Sequence, residues 1–290
     1  MIHVPTSRTQ AVVVDDCPQR TCAVSRCWSW PPPASGIRND DDSWFPNQPE
    51  ILVSGILGVI GGEADLRRDS DISAMLAALK RRGDQTEVWR HDGAVLAVAR
   101  FDWELAPGYS GASLIVHDDD VTVAADATLY YRDELKRRLR LAGSEPRADT
   151  PGHLIAAAYR VWGVDCPRYF DGDFAFVLFD HGRRCTFAAR DVLGRRGLHL
   201  AKVGDALLLA SSVSAVVAHP RCSAEFDRVA LAETISVSLS GEERTPYAAI
   251  RAVPAANWLL RREDGTISRG RYWEFPPERD ESESSFDAAV

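Results

Sequence analysis

Ile51-Leu-Val-Ser-Gly-Ile-Leu-Gly-Val-Ile-Gly-Gly62 is an apolar, β-branched run closed by a glycine pair, the pattern of a buried central strand that ends in a tight turn. Ser54 and Gly55 interrupt it. A small hydroxyl residue and a glycine near the start of a core strand mark a place where something approaches the backbone closely. Ser54 is therefore the first candidate site residue. A strand that needs small residues only to admit a neighbouring sheet reads the same way, and the surrounding chain has to decide between the two.

Downstream, Asp71 to Arg82 places Ile72, Met75, Leu76 and Leu79 on one face, the spacing of an amphipathic helix that stops at Gly83. Glu87–Arg90 with Ala94–Ala99, and Ala112–Val116 with Val121–Ala124, flank Gly- and Asp-containing turns and read as hairpins. Helices follow at Asp133 to Ala142 and at Thr150 to Trp162, the second opened by Thr150 as N-cap and Pro151 at its first position. Asp173–Asp180 with Arg184–Arg190, and Gly197–Ala201 with Ala206–Ser211, form two more hairpins. Short helices are expected at Ser212 to Ala218 and, capped by Asp227, at Arg228 to Ile235. A last pairing joins Ala256–Arg261 to Thr266–Trp273. The fold class is α+β: layered antiparallel sheets with helices on the outer faces.

Upstream, residues 1 to 50 hold proline-rich and Asp-rich stretches with no sustained period, a leader expected to be disordered. Beyond residue 275 the chain becomes acidic and serine-rich, which reads as a linker over 276–290. The net charge of −8 and pI near 5.4 do not supply the basic face of a general nucleic-acid binder. Lys80-Arg-Arg82 and Lys136-Arg-Arg138 fall on the polar sides or ends of helices, where a solvated face explains them. No apolar run is long enough to span a bilayer and no signal peptide opens the chain, so a cytoplasmic protein is expected. Cys17, Cys22 and Cys27 lack the pairing of a zinc site, and Cys166, Cys185 and Cys222 are dispersed, so no metal is expected.

Ser54-Gly-Ile-Leu-Gly-Val59, Lys80–Asp84, Asp126-Ala-Thr-Leu-Tyr-Tyr-Arg-Asp-Glu-Leu135, Ala148-Asp-Thr150, Phe170–Phe176, Arg190-Asp-Val-Leu-Gly194 and Gly270-Arg-Tyr-Trp273 together resemble, in this order, the N-terminal glutaminase domain of the asparagine synthetase family. Those domains are class II glutamine amidotransferases of the Ntn-hydrolase fold, an αββα sandwich, and the resemblance covers 53–275. It implies that Ser54 stands where the family has an N-terminal cysteine, whose thiol attacks glutamine's amide and whose free α-amine is the base. Ser54 follows Val53 in a peptide bond, so that base is absent from the chain as written. Asp126 and Ala127 occupy the family's oxyanion-hole positions, normally an Asn side chain and a Gly N–H. An ionised Asp126 opposes a developing oxyanion, and loss of one donor there typically lowers the rate about 100- to 1000-fold. Arg82 matches the arginine that grips the substrate α-carboxylate, and Asp149 the aspartate that takes its α-amino group. A surface ion pair is the plain alternative for both.

The family's ATP-using half carries a Ser-Gly-Gly-x-Asp-Ser loop, and Ser238-Leu-Ser-Gly241 does not supply it. The resemblance thus places ATP and Mg only in a synthetase domain that is missing here, and Ser285–Val290 resembles that domain's first turn. The leading expectation is a degenerate amidotransferase domain of the branch similar to β-lactam and lasso-peptide macrolactam synthetases, in which the substrate carries its own amine. Two rivals stand beside it. One is a working Ntn glutaminase in which Ser54 becomes the first residue, for example by translation from Val53 and removal of the initiator. The other is a non-catalytic module that binds glutamine, another amino acid or a synthetase partner through Arg82 and Asp149.

Overall fold

The structure, a computed structural model, describes residues 54–91, 93–105, 114–237 and 241–275. The leader with Cys17, Cys22 and Cys27, Val53, Ser238 to Ser240 and the stretch after Phe275 lie outside them.

The chain runs β1 (Gly55–Ile60), α1 (Asp69–Ala78), β2 (Gln85–His91), β3 (Ala94–Arg100), β4 (Ile115–Asp118) and β5 (Val121–Leu129). It continues through α2 (Arg132–Leu141), α3 (Pro151–Trp162), β6 (Gly172–Asp180), β7 (Cys185–Arg190), β8 (His199–Val203) and β9 (Ala206–Ala210). Last come α4 (Val213–Val217), α5 (Arg228–Ile235), β10 (Ile250–Ala252), β11 (Asn257–Arg261) and β12 (Ile267–Arg271). Among the described residues the strands form two 6-stranded sheets, ordered β10-β8-β9-β1-β3-β2 and β12-β11-β7-β6-β5-β4. The quoted stretch does supply the central strand, since β1 lies between β9 and β3 with antiparallel partners on both sides.

Pleating sorts β1 into two faces. Leu57 and Val59 pack outward against Ile72, Met75 and Leu79 of the α1 region and Ala215 and Val216 of α4. Ile56 and Ile60 face the second sheet, meeting Ala175, Val177, Ala188 and Leu259. The outer face of that sheet, with Val121, Val123, Phe174 and Phe176, is covered by Leu154, Ile155 and Ala158 of α3. The result is the expected order of helix, sheet, sheet, helix. Side chains such as Leu57, Leu96 and Phe176 are fully buried, each stabilising the fold by about 1.5–3 kcal/mol through the apolar surface it removes from water.

Helix ends follow the sequence. Thr150 Oγ1 accepts from the backbone N–H of His153 at 3.4 Å with Pro151 at the first helical position. Asp227 accepts from the N–H groups of Val229 and Ala230 at 3.0 and 3.1 Å. One helix differs from expectation. The Asp71–Arg82 pattern stops being α-helical at Ala78 and tightens into a 3-10 turn at Lys80–Arg82. Gly83 forces this ending: it has φ 141°, and a Cβ there would lie 2.2 Å from the carbonyl carbon of Arg100. β5 also runs further than expected, through Leu129, which carries Asp126 and Ala127 into the sheet beside β6.

Candidate functional site

The start of β1, the end of β3 and the end of β5 meet at one pole of the sandwich. Ser54 sits there just ahead of the β1 ladder, 3% exposed. Its Oγ donates to Glu104 Oε1 at 2.6 Å, and Glu104 Oε2 accepts from the Phe101 N–H at 3.0 Å. The carbonyl of Ser54 accepts from Arg82 Nη1 at 3.3 Å. Gly55 explains how Arg82 gets so close. A Cβ on Gly55 would lie 3.2 Å from Cβ and Cδ of Arg82, tight enough to displace the arginine stem. The backbone approach expected at Ser54 and Gly55 is therefore made by a side chain of the protein itself.

Alternation along β5 decides what faces this pole. Ala124 belongs to the layer between the sheets and Ala125 to the layer under α3, so Asp126 projects inward and Ala127 outward, where it packs against the α3 layer. Asp126 is 1% exposed. Arg196 Nε lies 3.5 Å from its Oδ1, an ion pair without hydrogen-bond geometry, while Asp126 Oδ2 has no hydrogen-bond partner. Burial pushes the Asp126 carboxyl up to about 7. The Arg196, Arg82 and Arg100 guanidiniums oppose that shift without cancelling it, and Glu104 adds to it. Burial likewise lowers Arg82 and Arg100 from their ordinary values, with Asp126 pulling the other way on both.

Three site residues carry no sequence signal of their own. Arg100, at the end of β3, crosses to the other sheet and donates from Nη2 to the Ala125 carbonyl at 2.6 Å. Glu104 is held by a 3-10 turn at Asp102–Leu105. Arg196 lies on the β7–β8 loop, which is organised by Asp191: its carboxylate accepts from the backbone N–H groups of Leu193, Arg195 and Arg196 at 3.1, 2.9 and 3.0 Å. The Arg190–Gly194 motif opens that loop, while Arg196 lies beyond it. His199 opens β8 close by. Burial, helped by Arg190 and Arg82, pushes it down to about 4, so it is neutral.

Of the residues singled out from the sequence, Ser54, Arg82 and Asp126 are brought together, with Ala127 adjacent in the chain. Asp149 is not joined to them by any hydrogen bond or ion pair among the described residues. It is exposed and paired with α2, at 3.2 Å from Lys136 Nζ and 3.9 Å from Arg132 Nη1, which is the surface ion pair weighed as its plain alternative. No group of His, Cys, Asp or Glu among the described residues could hold a metal ion. No helix there is long and apolar enough to cross a membrane.

The fold is a layered α+β sandwich of the Ntn-hydrolase-like kind, with Ser54, Arg82 and Asp126 gathered at one pole of it. The chain belongs to the family of glutamine amidotransferase domains, whose model matches residues 53–273. Among proteins, asparagine synthetase [glutamine-hydrolyzing] 3 of Bacillus subtilis is 28% identical over 245 residues, covering 82% of this chain and 39% of that protein. The asparagine synthetase [glutamine-hydrolyzing] of Asparagus officinalis is 30% identical over 150 residues, 51% of this chain and 25% of that one. The chain thus spans well under half the length of these relatives. Among solved structures, the glutamine phosphoribosylpyrophosphate amidotransferase of B. subtilis shares the fold, with TM-score 0.52 and 17% identity over 76% of this chain and 49% of that one.

Proposed function

We propose that this chain is the amidotransferase-type domain of an ATP-dependent, amide-forming enzyme related to asparagine synthetases, and that its glutaminase site no longer hydrolyses glutamine. ATP and Mg are handled by the synthetase part of that enzyme, the partner this domain serves. One observation supports the reading: the Ser54 hydroxyl is engaged by Glu104 at 2.6 Å, beside a buried acid, Asp126, which the resemblance matches to an oxyanion-donor position. A hydroxyl is also a weaker nucleophile than a thiol, and with Ser54 in peptide linkage no α-amine is present to activate it.

Ammonia release from glutamine tests this. The chain is expected to stay within about tenfold of buffer, since a single lost oxyanion donor already lowers the rate about 100-fold or more. Steady turnover that Ser54→Ala abolishes overturns the reading. The rival, a working glutaminase with Ser54 as its first residue, draws support from one feature: near neutral pH a fraction of Asp126 is un-ionised and able to donate. Protein produced with Ser54 at its amino terminus separates the two, because turnover in that form alone favours the rival.

A further inference from the structure

Among the described residues, four of the seven buried side-chain polar atoms without a hydrogen-bond partner gather at the Ser54 pole: Asp126 Oδ2, Arg196 Nε, Arg100 Nε and His199 Nδ1. Leaving such an atom unpaired in a protein interior typically costs about 1–3 kcal/mol, so a concentration of them at one place calls for a physical reason. Arg196 is anchored at its other end, where Nη2 donates to Thr128 Oγ1 at 3.1 Å, and its backbone is fixed by Asp191. Its Nε, ion-paired with Asp126 Oδ1 at 3.5 Å but without a hydrogen bond, is therefore held in place. Asp126 is 1% exposed, its backbone paired with Ala175 in the β5–β6 ladder, and its Oδ1 lies 3.5 Å from Arg196 Nε.

The groups facing Asp126 from each packed element are Arg82 from the turn after α1, Arg100 from β3, Glu104 from the turn after β3 and Arg196 from the β7–β8 loop. Three are guanidiniums. The one other carboxylate, Glu104, accepts from Ser54 and from the Phe101 N–H. Asp149, which the resemblance matches to the aspartate that takes an α-ammonium group, pairs with Lys136 and Arg132. This balance disfavours a zwitterionic amino acid and favours an anion without an ammonium group.

We propose that Arg196 Nε and Asp126 Oδ2, with Arg82 alongside, hold a small oxyanion that binds together with one proton on Asp126. Protonated, the carboxyl donates from Oδ2 and removes the like charge that would repel the ligand. Nothing is broken or transferred beyond that proton, which is taken from solvent on binding. The carboxyl titrates near neutrality, so proton uptake is inexpensive at physiological pH. A carboxylate and a tetrahedral oxyanion share the chemistry required. The inference deepens the reading of the site as non-hydrolytic, by giving it a different class of ligand.

Isothermal titration of the chain with sodium sulfate and with sodium acetate, at constant ionic strength set by chloride, tests the proposal. At least one anion should bind saturably, and its affinity should fall about tenfold between about pH 6 and about pH 8, with about one proton taken up per anion at the higher pH. Which anion binds distinguishes the tetrahedral from the carboxylate ligand. Arg196→Gln, checked for folding by circular dichroism, should weaken binding at least about tenfold, as expected for loss of a charge-assisted bond. Asp126→Asn should bind at both pH values with one affinity, because an amide donates without titrating. Absence of saturable binding, binding independent of pH, or binding unchanged in Arg196→Gln overturns the proposal. Glutamine binding in place of either anion also overturns it while leaving the non-hydrolytic reading intact, whereas ammonia release accompanied by anion binding does the reverse.

Discussion

Replacing Asp126 by asparagine should stabilise the domain, and by an amount that grows with pH. The carboxyl moves from an ordinary 3.8 to about 7 on folding, chiefly because burial disfavours its charge. A folded-state value above the unfolded one means that the folded protein holds the proton more tightly, so this stabilising contribution is complete below 3.8. It is lost as pH rises towards about 7. Asparagine has the same shape and no such dependence. At up to about 1.4 kcal/mol per pH unit, the gap between the two proteins should widen by roughly 2 kcal/mol from about pH 5 to about pH 7 and level off by about pH 8. Urea unfolding of both proteins across that range measures it, with midpoints converted through the denaturant slope. A constant difference would mean that Arg196 and Arg82 keep the carboxylate ionised throughout. A difference that shrinks with pH, asparagine becoming the worse residue, would mean that the ion pair outweighs burial and that Asp126 is held ionised, the opposite of the expected outcome.

Gly83→Ala should lower stability by more than about 3 kcal/mol or prevent folding, because it combines a left-handed backbone with a Cβ driven into another strand; an unchanged thermal midpoint would contradict the placement of Gly83 on Arg100. Asp191→Ala should cost about 3 kcal/mol by depriving three backbone N–H groups of their acceptor. By loosening Arg196 it should also move the Asp126 titration further up, readable as a shifted pH dependence of stability. Phe176→Ala, in the layer under α3, should cost about 3–5 kcal/mol in the same unfolding assay and leave any anion binding at the Ser54 pole unchanged.

The layered fold was legible because its signals are local. Thr150 with Pro151, and Asp227 before Arg228, announce helix starts that the structure keeps to within a residue. Turns at Gly93, Gly182 and Gly204 announce hairpins, since a tight turn leaves little choice of partner for the strands it joins. β10 escaped notice because Ile250–Ala252 is too short to show any period. The order of strands within each sheet is not a local property. At the site, Ser54, Arg82 and Asp126 were legible through family motifs and sit together. Arg100, Glu104 and Arg196 were not, because their roles come from contacts across 25, 50 and 68 residues of chain, to Ala125, Ser54 and Thr128. Nothing about an arginine after Asp191 tells the reader that it points at Asp126. The pairing of Asp149 with α2 is of the same kind, since Lys136 is thirteen residues away in sequence.

Between the two sheets, Ala94, Ala124, Ala175 and Ala188 all face the shared interior, and Gly58 lies where a Cβ would come within 3.3 Å of Leu96 and 3.5 Å of Val177. These small residues act as shims that fix the gap between the layers. Ala175 is the cross-strand neighbour of Asp126, and Ala124 precedes it on the same face. Burial between these layers acts on the acidity of Asp126 more strongly than any one of the arginines around it. A thicker shim, Ala124→Val for instance, would spread the pole, admit water beside the carboxyl and return its titration towards the ordinary range without altering any group that touches it. The chemical character of this pole is in that sense a mechanical property of the sandwich, adjustable from a position buried between the sheets.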